Sequence, residues 1–329
     1  MRAATGSLFG LAYGDSLGKP TEFQEYATIV ARYGPGGPQQ LVGEPALVTD
    51  DTQMALAVGE ALLEVSAVTP AVLEPVLRRR FLEWAASPEN DRAPGMTCLR
   101  AIGNLADGRP WTRATQPDSK GCGANMRVTP VGLVPGLTDD QRAGVAQFQA
   151  ALTHGHPTSL AASELTAYAV LWLRAGLAPA SLLAALRERC AEQRKVYRGD
   201  WLGELWQRPA VSSPEEFIAR GWEECAAALD RVGDALAAGD HSGDPCLRTG
   251  AGWIAEEALA TALYVYLISP EEPVAVLGRG AASSGDSDSI ACLAGAFAGA
   301  ALGITAWPAE WQTQIEYADR LFRLGSAWD

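Results

Sequence analysis

Histidine is scarce in this chain, and cysteine occurs without any recognisable spacing. There are three histidines among 329 residues, and none of the six cysteines forms a CxxC pair. Structural zinc modules need clustered histidine and cysteine ligands at short, regular spacings, so the sequence argues against a zinc protein. Scattered cysteines also predict reduced thiols in a cytoplasmic protein rather than a disulfide framework.

Basic residues are fewer than acidic residues. The chain carries 26 basic and 39 acidic residues, which gives a formal net charge of −13. Because binding to a nucleic-acid backbone requires clustered cations, we expect no stable DNA or RNA partner. A small anionic ligand held in one local pocket stays compatible with this charge.

No apolar run is long enough to suggest a membrane protein. The most apolar segment, Ile290–Ile304, begins next to Asp288 and ends near Pro308. It is shorter than the about 20 residues that a membrane-spanning helix needs, so we predict a buried central helix. The segment Met1–Thr5 also lacks the apolar stretch of a signal peptide, and we expect no membrane association.

Period-two alternation of β-branched residues is rare, whereas apolar residues recur at helical spacing through most of the chain. No break between these segments has the composition of a long linker. We therefore predict an all-α fold that forms a single domain over residues 1–329. The predicted helices are Ala3–Leu17, Gln53–Val65, Pro70–Ala85, Thr97–Ala106, Asp139–Leu152, Thr158–Ala175, Pro179–Arg194, Pro214–Ala238, Ile254–Ile268, Glu271–Arg279, Ser289–Ile304 and Ala309–Leu324.

Glycine recurs every four residues in two of these helices. The two sets are Gly6, Gly10, Gly14 and Gly18, and Gly295, Gly299 and Gly303. Each glycine within a helix costs about 1 kcal/mol relative to alanine, so such stripes favour two helices that approach unusually closely. That contact would bring Asp15 and Glu22 towards Asp286 and Asp288. Ordinary packing of small residues, without functional consequence, is the alternative.

Two short acidic clusters lie nearly the whole chain apart, and each precedes a long apolar run. They are Thr49-Asp50-Asp51-Thr52 and Asp286-Ser287-Asp288-Ser289. Carboxylates combined with hydroxyls form a hard-oxygen ligand set that suits Mg²⁺, Mn²⁺ or Ca²⁺. If the fold brings the clusters together, they repel each other unless cations lie between them. Alternatively, each cluster only caps the N-terminus of a helix.

Three further segments carry groups that could bind a ligand. The glycines of Ser119–Gly123 could let backbone N–H groups approach a phosphate, or could only form a turn. His154 lies between two predicted helices, where a hydrogen-bonding role is more common than metal ligation. Trp253 could stack on a flat ligand or could belong to the core.

Taken in order, these segments resemble the ADP-ribosylglycohydrolase family, which includes the dinitrogenase-reductase-activating glycohydrolases and the vertebrate ADP-ribosyl-acceptor hydrolases. Each motif alone is weak, whereas the ordered set is specific and runs nearly end to end. The matching segments are Gly10–Gly18, Thr49–Thr52, Ala93–Gly95, Gly121–Arg127, Thr153–His154, Gly252–Leu259 and Gly285–Ser289.

The resemblance implies a pair of Mg²⁺ or Mn²⁺ ions in one cleft of an all-α domain. The implied metal ligands are Thr49, Asp50, Asp51, Asp286, Asp288 and Ser289. The commoner family pattern in the last segment is Asp-Thr-Asp-Thr, and this chain has serine at both hydroxyl positions. The implied candidates for proton transfer are Glu22, Asp51 and Asp91. The positions implied to line the ADP-ribose groove are Gly95, Ser119, Lys120, Gly121, Cys122, Gly123, His154, Trp253, Ile254 and Ala255.

The resemblance also implies the activity, which is metal-dependent hydrolysis of the N- or O-glycosidic bond that links ADP-ribose to an acceptor. ADP-ribosyl-arginine on a protein is the first expectation, and serine, O-acetyl and nucleobase linkages stay open. The expected partner is an ADP-ribosylated protein or a small ADP-ribose conjugate, and the expected state is a monomer. The competing interpretation is an ADP-ribose-binding module that has lost turnover.

Overall fold

The computed structural model describes residues 2–329, and within this range the chain is helical with only isolated β-bridges. The all-α prediction is confirmed. The helices, in chain order, are α1 (Ala3–Gly18), α2 (Tyr26–Tyr33), α3 (Asp50–Glu64), α4 (Pro70–Ala85), α5 (Met96–Ala106), α6 (Trp111–Ala114), α7 (Thr129–Leu133), α8 (Asp139–Ala151), α9 (Pro157–Arg174), α10 (Pro179–Gln193), α11 (Gly199–Leu202), α12 (Pro214–Ala237), α13 (Cys246–Thr249), α14 (Ala255–Ile268), α15 (Pro273–Ala281), α16 (Ser287–Leu302), α17 (Trp311–Gln314) and α18 (Ala318–Ser326). None of these helices combines the length and the apolar character that crossing a bilayer requires.

The centre of the fold is the contact between α1 and α16, which are both buried on nearly all sides. Gly10 faces Gly295, Gly14 faces Ala291 and Gly18 faces Asp288. A Cβ atom added at any of these three α1 glycines would lie less than 3.0 Å from backbone atoms of α16. The predicted close packing through glycine stripes is therefore confirmed, and it places the C-terminus of α1 against the N-terminus of α16.

The other long helices surround this central pair. α14 and α15 pack on α16, α9 contacts α7, α8, α12 and α16, and α3 packs between α4, α7 and α18. Buried apolar side chains from these elements form one continuous core. The two helices of the centre are thus fixed from several directions, which holds the loops at their ends in place.

The structure corrects several predicted helix boundaries. Instead of one helix over Ala309–Leu324, α17 and α18 are separated at Tyr317, whose φ is +58°. The interruption has a tertiary cause, because the backbone of Ala46 pairs with that of Gln314 and Glu316. α2, of which Ile29 is the only buried residue, was not predicted, and neither were the short helices α6, α7, α11 and α13. α3 begins at Asp50 and α16 at Ser287, earlier than predicted, so both acidic clusters lie in first helical turns.

Candidate metal and substrate site

Five carboxylates from distant parts of the chain converge at the ends of three helices. Glu22 follows α1, Asp50 and Asp51 open α3, and Asp286 and Asp288 lie at the start of α16. One oxygen atom from each of Glu22, Asp286 and Asp288 lies within 4.8 Å of the other two. We call these five residues the carboxylate cluster. Thr49 and Asp286 also act as N-caps of α3 and α16, so the capping interpretation holds alongside the convergence.

Burial and mutual repulsion disfavour the charged forms of these groups. Burial, followed by the charge of Asp288, raises the pKa of Glu22 and that of Asp50 to about 8. The same two causes hold the pKa values of Asp51 and Asp286 well above their usual range. Acidic groups packed this closely normally need a compensating positive charge.

The donor set fits a divalent cation. The Oδ1 atom of Asp51 is buried and has no hydrogen-bond partner, although buried polar atoms usually have one. The donor atoms of the cluster itself are carboxylate oxygens, which Mg²⁺ and Mn²⁺ prefer. The hydroxyl of Ser289 belongs to the same turn as Asp286, whose carboxylate accepts the Ser289 backbone N–H at 3.4 Å.

Asp15 ties the C-terminal half of α1 to the start of α3. Its carboxylate is fully buried and accepts hydrogen bonds from the backbone N–H groups of Thr49 and Thr52, each at 3.0 Å. The hydroxyl of Thr52 also donates to it, at 2.5 Å. Sequence reasoning assigned Asp15 no role of its own, although it lies within the Gly10–Gly18 motif. In the structure it fixes the orientation of the turn that carries Asp50 and Asp51.

A second support holds Val48, the residue that precedes this turn. Glu316 accepts the Val48 N–H at 3.0 Å, and the Arg92 guanidinium donates to the Val48 carbonyl at 2.6 Å. Arg92 and Glu316 also form an ion pair at 2.5 Å, with both side chains largely buried. Both backbone groups of Val48 are thus held by side chains from distant segments. No sequence signal marks this arrangement beyond the acidic and basic residues themselves.

Asp91 differs from the other candidates for proton transfer. Its side chain is 74% exposed and lies 3.7 Å from the guanidinium of Arg92. It therefore shares neither the burial nor the convergence of the carboxylate cluster. Its catalytic role stays a prediction that depends on the family resemblance.

The predicted groove residues form two neighbouring strips of backbone beside the cluster. Cys122 N–H donates to the Trp253 carbonyl at 3.0 Å, and Ala255 N–H donates to the Lys120 carbonyl at 2.8 Å. Gly121 and Ile254 form an antiparallel bridge between the same strips. The structure thus brings together the predicted positions Lys120–Cys122 and Trp253–Ala255.

Ion pairing and burial determine which side chains of this groove carry a charge that could act on a ligand. Lys120 donates its ammonium protons to Glu224 at 2.7 Å and to Glu256, so its charge is already neutralised. Burial, followed by the positive charge of Arg127, lowers the pKa of His154 to about 3, and the imidazole is neutral at pH 7. His154 lies beneath Gly121 and Gly123, where any Cβ would approach its ring.

Two further predicted positions connect the groove with the cluster. The N–H of Gly95 points to the Asp50 carboxylate at 3.4 Å, and the hydroxyl of Ser119 lies 3.0 Å from that of Thr97 in α5. A cavity of about 890 Å³ lies alongside, lined by Asp118 and His156 among others and by none of the predicted groove residues. Its volume is typical of small-molecule pockets, although the carboxylate cluster does not line it.

An all-α scaffold with buried carboxylates of raised pKa gathered at helix ends has the features of an enzyme active site. The particular family follows from direct comparison, because the ADP-ribosylglycohydrolase model matches residues 1–328. The chain belongs to the ADP-ribosylglycohydrolase family, and the resemblance found in the sequence is confirmed.

Individual relatives support this assignment at low identity. ADP-ribosyl-[dinitrogen reductase] glycohydrolase of Rhodospirillum rubrum is 34% identical over 166 residues, which cover 48% of this chain and 53% of the relative. ADP-ribosylhydrolase ARH3 of Mus musculus is 27% identical over 94% of this chain and 86% of its own length. The uncharacterised protein YegU of Escherichia coli is 25% identical over 96% of this chain and 92% of its own length. The relatives with an assigned activity are named hydrolases of ADP-ribosyl bonds, which gives the enzyme class.

A solved structure shares the fold over nearly the whole chain. It is that of an ADP-ribosylglycohydrolase-related protein complex, and it superposes with a TM-score of 0.70. The alignment covers 99% of this chain and 96% of the other, at 24% sequence identity. At this identity the similarity establishes the arrangement of helices and nothing finer.

Proposed function

We propose that this protein hydrolyses the bond between ADP-ribose and an arginine side chain of a protein, and releases ADP-ribose. The observation that carries the proposal is the convergence of Glu22, Asp286 and Asp288, with Asp50 and Asp51 close to Asp288, beside a glycine-rich backbone strip. A relative named ADP-ribosylarginine hydrolase Tri1, from Serratia proteamaculans, is 27% identical over 52% of this chain and supports the choice of acceptor.

Two Mg²⁺ or Mn²⁺ ions are part of the proposal. Their ligands would be Thr49, Asp50, Asp51, Asp286, Asp288 and Ser289, and the unpartnered buried oxygen of Asp51 supports this set. When bound at these residues, such ions would supply Lewis-acid chemistry at the reacting centre.

We assign proton transfer and charge stabilisation to side chains of the cluster according to how exposed they are. Glu22 is the only member that is half-buried rather than buried, and it stands where the site opens to solvent. It is our candidate to move a proton between water and the leaving group. Asp51 is buried, and its carboxylate would stabilise the positive charge that develops at the anomeric carbon. Asp91 is retained as a third candidate for proton transfer.

The groove would bind the ADP-ribosyl part. The Gly121–Gly123 backbone is our proposed cradle for the diphosphate, because glycines let main-chain atoms approach an anion closely. Gly95, Ser119, His154, Trp253, Ile254 and Ala255 would line the remainder of the groove, and the ion-paired Lys120 would hold the strip in place.

We also propose that the protein is a single-domain monomer in the cytoplasm. The continuous core that joins α1 to α16 supports one domain. All six cysteines are free thiols, as expected in a reducing compartment.

The test is a panel of defined conjugates in which ADP-ribose is linked to arginine, serine or an acetyl group, with released ADP-ribose measured by mass spectrometry. We expect release from the arginine conjugate in Mg²⁺ or Mn²⁺, loss of release in EDTA and recovery on adding the metal. Calorimetry with ADP-ribose runs in parallel. Binding without release from any conjugate would replace the hydrolase by an ADP-ribose reader.

A further inference from the structure

Two aromatic side chains stack on each other in solvent beside the carboxylate cluster. Phe23 is 67% exposed and Trp253 is 42% exposed. Their ring centroids are 5.3 Å apart and the planes differ by 15°. Since the rings cover one face of each other, the opposite face of each ring is free for a further flat group. Neither ring contributes to the continuous core.

The backbone of Phe23 adopts an unfavourable conformation to place its ring there. Its φ is +61°, in the left-handed region that bulky residues rarely occupy. Such conformations are energetically costly and are enriched at functional sites. Burial of the ring offers no compensation, because the side chain is mostly in solvent.

The two rings come from different segments of the chain and meet beside the site. Phe23 directly follows Glu22, a member of the carboxylate cluster. Trp253 belongs to the groove strip, and its carbonyl accepts the Cys122 N–H. The preceding residue, Gly252, packs against Asp286 and Ile290. The stacked pair therefore joins the segment that carries Glu22 to the groove strip beside Asp286.

The position of this pair selects among possible flat groups. Phe23 follows Glu22, our candidate for proton transfer to the leaving group, and Gly252, which precedes Trp253, packs against Asp286. A group stacked on these rings therefore lies on the acceptor side of the scissile bond. A guanidinium is planar, permanently charged and weakly hydrated, and it stacks on aromatic faces while pairing with carboxylates. A serine or acetyl acceptor offers no such group.

From these observations we infer that Phe23 and Trp253 form the acceptor-binding surface, on which the guanidinium of an ADP-ribosylated arginine stacks. The inference rests on the proposed hydrolase function and assigns its acceptor specificity to these two residues. Phe23 contributes the more exposed face, and Glu22 lies next to it to pair with the guanidinium.

The experiment compares a ligand that has the acceptor with one that lacks it. For Phe23→Ala and Trp253→Ala, kcat/KM is measured with ADP-ribosyl-arginine, and the Kd of free ADP-ribose is measured by calorimetry. A stacked cation is worth about 1–2 kcal/mol, so we expect kcat/KM to fall about 5- to 30-fold. For Phe23→Ala, the Kd of ADP-ribose should stay within about twofold, because the product contains no guanidinium. Trp253 also lines the proposed ADP-ribose groove, so for Trp253→Ala the loss in kcat/KM should exceed the loss in ADP-ribose affinity by at least about fivefold.

Conservative and matched variants separate stacking from folding. Phe23→Tyr and Trp253→Phe keep a flat ring and should retain most of the activity. Phe322→Ala removes another exposed aromatic, which lies on α18 beneath Arg2, and should change neither measurement. Thermal melting of each variant confirms that the fold is intact.

Several outcomes would overturn the inference. Equal weakening of kcat/KM and of ADP-ribose binding would assign the pair to the ADP-ribosyl part, and no change in either would leave it outside the substrate contact. A wild-type enzyme that releases ADP-ribose only from oxygen-linked conjugates would also refute it while preserving the hydrolase proposal. Release from no conjugate would refute the proposed function itself.

Discussion

Replacing Gly14 by alanine tests whether the close contact of α1 and α16 holds the fold together. A Cβ at this position would lie 2.6 Å from the Cys292 backbone nitrogen and closer still to the Ala291 carbonyl. Real Cβ atoms essentially never come within 3.0 Å of such neighbours. Because the opposing atoms are helix backbone, no side chain can rotate away, and the helices must move apart.

The expected loss of stability follows from two opposing contributions. Overpacking against rigid backbone costs about 3 kcal/mol, at the upper end of the usual range. Alanine returns about 1 kcal/mol through its better helix propensity, which leaves a net loss of about 2 kcal/mol. With 329 residues and about 2.1 cal/mol/K of unfolding entropy per residue, the melting temperature should fall by about 3 °C.

Gly103 is the matched control, because it is exposed in α5 and a Cβ there meets nothing within 4 Å. Gly103→Ala should raise the melting temperature by about 1 °C, through the same propensity term alone. Both variants are measured by calorimetry and urea titration. A Gly14→Ala protein as stable as Gly103→Ala would refute the packing argument.

Three further predictions concern the carboxylate cluster. Asp288→Ala should keep the helical circular dichroism spectrum and lower kcat at least about 100-fold. The control is Asp107→Asn at an exposed position, which should leave kcat unchanged. Wild-type turnover by Asp288→Ala would contradict the metal assignment. The second prediction concerns pH in the presence of EDTA. Because the pKa values of the cluster are raised, the folded state binds more protons than the unfolded state between about pH 4 and pH 8. The free energy of unfolding should therefore fall as pH rises through this window. Saturating Mg²⁺ should remove most of that slope in thermal melts at pH 5 and pH 8, and parallel curves with and without metal would refute the cation site. The third prediction is that Glu316→Gln weakens the support of Val48 by Arg92 and reduces the affinity for Mg²⁺ about tenfold. The affinity is obtained from the dependence of the melting temperature on Mg²⁺ concentration. An unchanged dependence would show that the ion pair does not position the cluster.

The features that were predictable from sequence are those recorded in local patterns. The spacing of Gly6 to Gly18 and of Gly295 to Gly303 was sufficient to predict that α1 and α16 pack closely, because a close helix contact offsets the helix propensity that each glycine sacrifices. The hydroxyl and carboxylate composition of the two acidic clusters indicated a set of oxygen ligands for a cation. That the two clusters share one site was implied only by the family resemblance.

The features that escaped prediction depend on contacts between distant segments. The Arg92–Glu316 pair joins residues 224 positions apart, and no local signal marks either partner. The break between α17 and α18 arises because Ala46 pairs with the backbone around Ile315, which overrides the helical propensity of that stretch. The ion pairs of Lys120 with Glu224 and Glu256 are equally invisible in the sequence.

The α1–α16 contact also determines when the site can form during synthesis. Gly18 and Ser287, whose carbonyl and hydroxyl meet in the folded protein, are 269 residues apart. At about 5–20 residues per second, a ribosome needs about 15–50 s to make the intervening chain. Throughout that time the glycine face of α1 lacks the helix against which it packs in the folded protein. The carboxylate cluster can therefore assemble only after α16 has emerged, so site assembly is a late event in the folding of this protein.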